Sequence, residues 1–415
     1  MISGPLCFGQ RSIWRSIRTN PLVDGIRSQL TSLEPLPVGT TGERVRAAVE
    51  ALWRRHESLR TTFDTTGEDV AQVVHPRARD VLEVVAAGDR DEAAARAREL
   101  FATPLRLTGE FGWRVRLITV PHGPPSLAVA VHHILADGWA LRRLLAELTA
   151  LSTDPAPLSP SPVALARDQH SEAWSDRRAS ARTYWTRLTD EFGVAAEDHL
   201  AEERISGSVD LGGVSGVVAD LVRRHRVGAQ TVVLALFALG VRASTGRERI
   251  LVHLMVANRL RPQWREYVTS LNQIIPAGIV VDDADTFAGL LRQVESAGMA
   301  ALRNGCHDVD EAAAITGRPP GSVVDHVLNY MLPAWPDLPA DPGPAPVTVT
   351  ASTRPAIAGI YGVLTRGERP VLDLHVDARR YPEPRLRGFL RGTERSLRLL
   401  ATRPQARVGD LTGLY

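Results

Sequence analysis

Residues 130–141 read AVHHILADGWAL, with two adjacent histidines a few positions ahead of an Asp-Gly pair. An imidazole titrates near neutrality, so His132 or His133 could take a proton from a nucleophile at pH 7. Asp137 could cap a following helix, pair with an arginine, or orient a histidine. From this string alone, a catalytic base with its support and two rings satisfied locally both remain open. A metal site is not expected, because no second His/Cys/Glu cluster supplies further ligands. No G-x-S-x-G elbow is present either, which argues against a Ser-His-Asp hydrolase.

The histidines end an apolar stretch, SLAVAVHH (126–133), that has the character of a strand. Side chains alternate between the faces of a strand. Leu127, Val129, Val131 and His133 share one face, and Ala128, Ala130 and His132 the other. The two histidines therefore cannot both face one cavity: one is a candidate base and the other a candidate structural group. Asp137 and Gly138 fit a turn into a helix over 140–150.

Around this stretch, helices are expected over 43–59 and 90–100, with strands over 71–75 and 113–120. STDPAPLSPSP (152–162) has the composition of a linker. After it come a polar helix over 164–188, a buried helix near 231–241, a strand over 249–256 and a helix over 286–302. Strands over 323–330 and 371–377 and an amphipathic helix over 383–402 follow, while PAWPDLPADPGPAP (333–346) looks like a surface loop. Intermixed helices and strands point to an α/β sandwich architecture. At 415 residues the chain is too long for one ordinary core, so two domains are expected, 1–163 and 164–415.

Composition narrows the chemistry. Apolar residues make up 44% and charged residues 23%, and the formal net charge is +2 with no basic stripe, so nucleic acid is not an expected partner. All 49 basic residues are arginine. A chain without lysine has neither a Walker-type phosphate loop nor a Schiff-base lysine. Cys7 and Cys306 are isolated, so neither a disulfide framework nor a zinc site is signalled. There is no apolar signal core and no membrane-length apolar run, and a cytoplasmic protein without membrane contact is expected.

Further stretches turn the histidine string into part of a series. GPLCFGQRSIWR (4–15), RRHESLRTTF (54–63) and VHHILADGWA (131–140) resemble, in order, motifs of the condensation domain of nonribosomal peptide synthetases. This family belongs to the chloramphenicol acetyltransferase-like superfamily. The likeness continues through ARDQHSEAWSDRRASARTYWTRL (166–188), LVHLMVANR (251–259), TSLNQIIPAGIVV (269–281), HVLNYM (326–331) and ARVGDLTGL (406–414). NGCHDVDEA (304–312) is a degraded version of the family's His-Gln-Asp-Val-Pro segment.

The resemblance implies two chloramphenicol acetyltransferase-like α/β subdomains in a V-shaped pseudo-dimer, with the active-site tunnel at their interface. It implies acyl transfer from a carrier-protein phosphopantetheine thioester to an amine or, less often, a hydroxyl. The carrier protein would act in trans, the small-molecule acceptor could be free, and the chain itself would bind no cofactor. By the same resemblance His133 is the catalytic residue, His132, Asp137 and Gly138 build the site, and Arg259 pairs with Asp137. Asn329 and Trp139 are possible substrate-pocket residues. Ala140 stands where the family usually has serine, and Asn272 is retained without the usual Phe-Val-Asn-Thr wording. No adenylation signature or carrier attachment site follows, so a stand-alone or excised domain is expected. A superfamily O-acyltransferase using a free alcohol and a non-catalytic recruitment module are the alternatives. The intact histidines and Asp-Gly disfavour the second, and they also disfavour the heterocyclising subtype, which carries aspartates there.

Overall fold

A computed structural model describes the chain except residues 21–25, 27, 68, 78, 154–156, 195–202, 342, 353–356 and 366. Its first part runs β1 (Ile2–Pro5), α1 (Phe8–Thr19), β2 (Gln29–Pro35), α2 (Gly42–Arg55), β3 (Thr61–Asp64), β4 (Ala71–Val74), β5 (Leu82–Ala86), α3 (Arg90–Phe101), β6 (Trp113–Thr119), β7 (Ser126–His132), α4 (Gly138–Thr149) and α5 (Pro162–His170). The remainder runs α6 (Ser175–Phe192), β8 (Arg204–Asp210), α7 (Ser215–His225), α8 (Ala229–Thr245), β9 (Arg249–Val256), β10 (Gln273–Val280), α9 (Phe287–Arg303), α10 (Val309–Thr316), β11 (Val324–Tyr330), β12 (Val347–Ala351), β13 (Ala358–Leu364), β14 (Val371–Asp377), α11 (Glu383–Thr402) and α12 (Val408–Thr412).

Three sheets result, in the orders β1-β4-β3, β2-β7-β6-β5 and β10-β9-β11-β13-β14-β8-β12. The β5–β6, β9–β11 and β11–β13 pairs are parallel, and the other pairs are antiparallel. The three-stranded sheet comes from residues before 75, the four-stranded sheet from residues before 133, and the seven-stranded sheet from residues after 203. Val115, Leu117, Val129 and Val131 sit in one core with Val45, Val49 and Leu52 of α2. The core of the large sheet surrounds α8, where Thr231–Val241 is buried on every side, as an all-round apolar helix requires. Among the described residues no single helix is long and apolar enough to cross a membrane.

Several expected boundaries move for local reasons. The helix expected over 43–59 stops at Arg55, because His56 turns to an extended conformation and its ring is fully buried. There Nε2 lies 3.0 Å from Glu147 Oε2 and Nδ1 lies 2.7 Å from Ser159 Oγ. This places His56 of the RHESL string in a structural clamp against α4 and the expected linker. The helix expected over 164–188 is two helices, α5 and α6, split where Ser171 is extended; Arg178 fills the break by donating to the Gln169 and Ser171 carbonyls. The boundary drawn after Val163 falls inside α5, whose N-cap is Ser161, so the expected linker ends as helix. Its residues 154–156 lie outside the described residues.

Candidate active site

β7 delivers the histidines. In the β2–β7 register Gln29 faces His132, and one step further His133 N–H donates to the Ser28 carbonyl at 2.7 Å. The faces then separate as alternation requires. His132 is buried at 2% exposure, and its Nδ1 accepts from the Ile134 N–H at 3.2 Å. Burial, with the neighbouring His133, pushes its pKa down to about 3, so the ring stays neutral. His133 is half-buried and lines a cavity of about 1330 Å³. Its Nδ1 is enclosed by protein beside the residue's own backbone carbonyl, which leaves Nε2 as the nitrogen available to the cavity. Burial lowers the His133 pKa, opposed by that carbonyl and by Asp137.

Asp137 caps α4, with Oδ1 accepting from Trp139 N–H at 3.1 Å and Ala140 N–H at 3.0 Å. The helix thus starts at Gly138, two residues before the expected 140. Oδ2 reaches the other part of the chain, accepting from Arg259 Nη1 at 2.5 Å, Leu271 N–H at 2.9 Å and Asn272 N–H at 3.2 Å. Five donors therefore converge on one carboxylate, and Asp137 acts as cap and arginine partner rather than as a hydrogen-bonded orienter of His133. Arg259 also donates to the carbonyls of Ala257, Thr269 and Tyr267 at 2.9, 3.1 and 3.4 Å.

Asn258 makes this arrangement possible; it sits beside Arg259 in the LVHLMVANR stretch and was not foreseen as a site residue. Its φ of 53° is left-handed, a region asparagine tolerates better than most residues. Its buried Nδ2 donates to the carbonyls of Leu271 (2.8 Å) and Gly305 (3.0 Å) and to Gln273 Oε1 (3.3 Å). The turn so fixed aims Arg259 back at Asp137. On the other side, Gly9 lets α1 approach the same segment: a Cβ there would lie 2.3 Å from the Ser270 carbonyl oxygen and 2.7 Å from Leu271 Cα.

The cavity takes lining from both parts of the chain, including Ser28 and Gly138 from the first and Met255 and Asn272 from the second. Trp139 and Asn329 line it as well, whereas His132 and Arg259 stand behind the wall. The Trp139 indole donates to the Arg265 carbonyl at 3.2 Å, and Asn329 donates to Tyr361 Oη at 3.2 Å. A Cβ at Gly138 would meet no protein atom within 4 Å. Trp185, His253 and His307 also line the cavity and were not foreseen; three polar or aromatic side chains on separate elements leave no contiguous signal in sequence.

A family model described as "Condensation domain" matches residues 36–331. The chain is 32% identical over 285 residues to the beauvericin nonribosomal cyclodepsipeptide synthetase of Beauveria bassiana, covering 63% of this chain and 9% of that protein. It is 30% identical over 304 residues to the cyclosporin synthetase of Tolypocladium inflatum, covering 68% of this chain and 2% of that protein. The chain therefore spans only a small fraction of the length of these relatives. Among solved structures, the condensation domain of the monacolin K polyketide synthase aligns with a TM-score of 0.80 at 18% identity, covering 98% of this chain and 99% of that one. A structure described as the basis of condensation domain-mediated chain release from the enacyloxin polyketide synthase aligns with a TM-score of 0.78 at 20% identity, covering 96% of this chain and 82% of that one. The fold also matches the X-domain in a complex with OxyB from teicoplanin biosynthesis, with a TM-score of 0.77 at 18% identity and coverage of 98% and 95%. At these identities the structural likeness establishes the α/β fold and leaves the reaction to the site.

Proposed function

We propose, for a chain that belongs to the condensation-domain family, that it joins an acyl group held as a carrier-protein thioester to an amine or a hydroxyl. The observation that carries this reading is the His133 imidazole on the wall of a cavity lined by both parts of the chain, large enough for two substrates. In the proposed reaction the acceptor nitrogen or oxygen attacks the thioester carbonyl carbon. His133 Nε2 takes the acceptor's proton as the new bond forms, and the tetrahedral intermediate then expels the thiolate. The proton passes from Nε2 to the leaving sulfur, so the ring returns neutral. No acyl-enzyme is required, because holding both substrates in one cavity supplies much of the rate.

Asp137, Arg259 and His132 are positioning residues in this reading: they fix the strand end and the helix start on either side of His133. The phosphopantetheine is part of the donor substrate, carried by a separate or adjoining carrier protein. A hydroxyl acceptor is retained beside an amine because relatives of the chain are named cyclodepsipeptide synthetases. The test offers acyl carrier-protein thioesters with amines and alcohols to wild type and to His133→Ala, with product read by mass spectrometry. Ligation by wild type that falls at least a hundredfold in the variant supports the reading. Equal turnover by folded wild type and variant sinks it.

A further inference from the structure

The cavity has a second polar wall that the chemistry at His133 leaves unused. Trp185 on α6, His253 on β9 and His307 between α9 and α10 meet there. The Trp185 ring centroid lies 5.2 Å from that of His307 and 6.3 Å from that of His253. His307 is held firmly: Gln273 Nε2 donates to its carbonyl at 2.7 Å, and Gln273 Oε1 accepts from its N–H at 3.3 Å. Its Nδ1 lies 3.1 Å from the Gly305 carbonyl oxygen, which can only accept. Nδ1 therefore carries the ring proton, and Nε2 is left with its lone pair. Burial keeps the ring neutral, lowering the pKa to about 4.

We propose that Trp185 and His307 form a specificity subsite for a neutral hydrogen-bond donor, a hydroxyl or N–H, borne on a planar ring of the substrate. Burial selects the donor's type: an anion or a cation would lose its hydration against a wall whose imidazoles are held neutral, whereas a neutral hydroxyl or N–H completes the Nε2 lone pair. The Trp185 and His307 rings meet at 54°, so together they supply a polarisable corner against which an aromatic body can pack edge or face. The residue also lies in the "NGCHDVDEA" stretch, where the chain departs from its family's wording. This subsite rests on the acyl-transfer reading for its substrate and specifies which substrates that reaction prefers.

The test uses matched pairs differing by one phenolic hydroxyl: 4-hydroxyphenylacetyl and phenylacetyl N-acetylcysteamine thioesters as donors, and tyramine and phenethylamine as acceptors. In one of the two series, wild type should favour the hydroxylated compound by about tenfold in kcat/KM, the worth of one buried neutral hydrogen bond. His307→Phe keeps the ring contact with Trp185 and removes the acceptor; the preference should collapse to about one while the phenyl compound is still turned over. His307→Leu is the second variant should the first not fold. A wild type without preference in either series, or an unaltered ratio in the variants, overturns the subsite. If wild type turns over none of the compounds, the acyl-transfer reading is decided by the carrier-protein thioester assay above. Equilibrium binding of the same pairs then decides the subsite: a hydroxyl preference lost in His307→Phe supports it, and no preference overturns it.

Discussion

Asp137 Oδ2 lies 2.5 Å from Arg259 Nη1, and both side chains are 2% exposed. The pair ties the start of α4 to the turn after β9, 122 residues further along the chain. Charge burial of this kind costs desolvation, so the surrounding donors and acceptors decide its worth. Here four backbone N–H groups complete the shell of Asp137, and three carbonyls join it around the Arg259 Nη groups, while Arg259 Nε is buried without a hydrogen-bond partner among the described residues.

Removing either partner leaves the other charge buried and alone. Asp137→Ala and Arg259→Ala should each lose about 3–5 kcal/mol of stability. Arg259→Lys should recover little, because a single ammonium cannot span the aspartate and the separate carbonyls. Urea denaturation measures this, and a midpoint unchanged in either alanine variant contradicts it.

The two histidines should fail differently. His133→Ala should retain the wild-type melting temperature and lose at least about a hundredfold in kcat/KM. His132→Ala empties a buried site and leaves the Ile134 N–H without its acceptor, so it should lower stability by about 1–3 kcal/mol. Thermal melts beside turnover separate the two; equal melting loss in both variants would reverse the assignment.

Acid should act through buried neutral imidazoles. Folding lowers the pKa of His132 and His253 to about 3 and of His307 to about 4, against 6.5 for a free ring. The unfolded chain therefore binds more protons below pH 6.5, and stability present above that pH is lost as pH falls toward 4. Each group contributes about 1 kcal/mol of loss between pH 6.5 and 5.5. Urea midpoints across this window test it, and a flat profile refutes it. His133 is shifted the same way, so the acid limb of kcat/KM should lie below pH 6.5.

Two glycines should separate packing from chemistry. Gly9→Ala drives a methyl group into the backbone of Ser270 and Leu271, and should cost more than about 2 kcal/mol. Gly138→Ala meets no protein and should fold normally. Because Gly138 lines the cavity, its new methyl should instead raise KM or lower kcat. Melting curves and kinetics on both variants check the contrast, and a stability loss in Gly138→Ala larger than in Gly9→Ala would contradict it.

Much of this is legible in the sequence. The strand over 249–256, the strand over 371–377 and the helix over 383–402 run where their apolar periodicity placed them. α1 and α10 were not foreseen: α10 has only a weak apolar periodicity, whereas α1 is strongly amphipathic and its signal was passed over. The two helices meet across the fold, where Arg15 of α1 pairs with Asp310 of α10 at 2.8 Å, a contact between residues 295 apart.

Local periodicity by itself determined that His132 and His133 must face opposite ways, and the ordered motifs determined the family. The period of a strand is a property of the backbone, so it holds wherever the strand is placed. Which face met a cavity was decided only by the tertiary structure, since that depends on what packs against β7 and α4. The same is true of Asp137, whose three open roles were cap, ion pair and histidine support. Its carboxylate took the first two because Asn258 turns Arg259 toward it and Gly9 admits the Ser270–Leu271 segment beside it. Those neighbours come from the start and the middle of a 415-residue chain, and no short-range pattern could have brought them together.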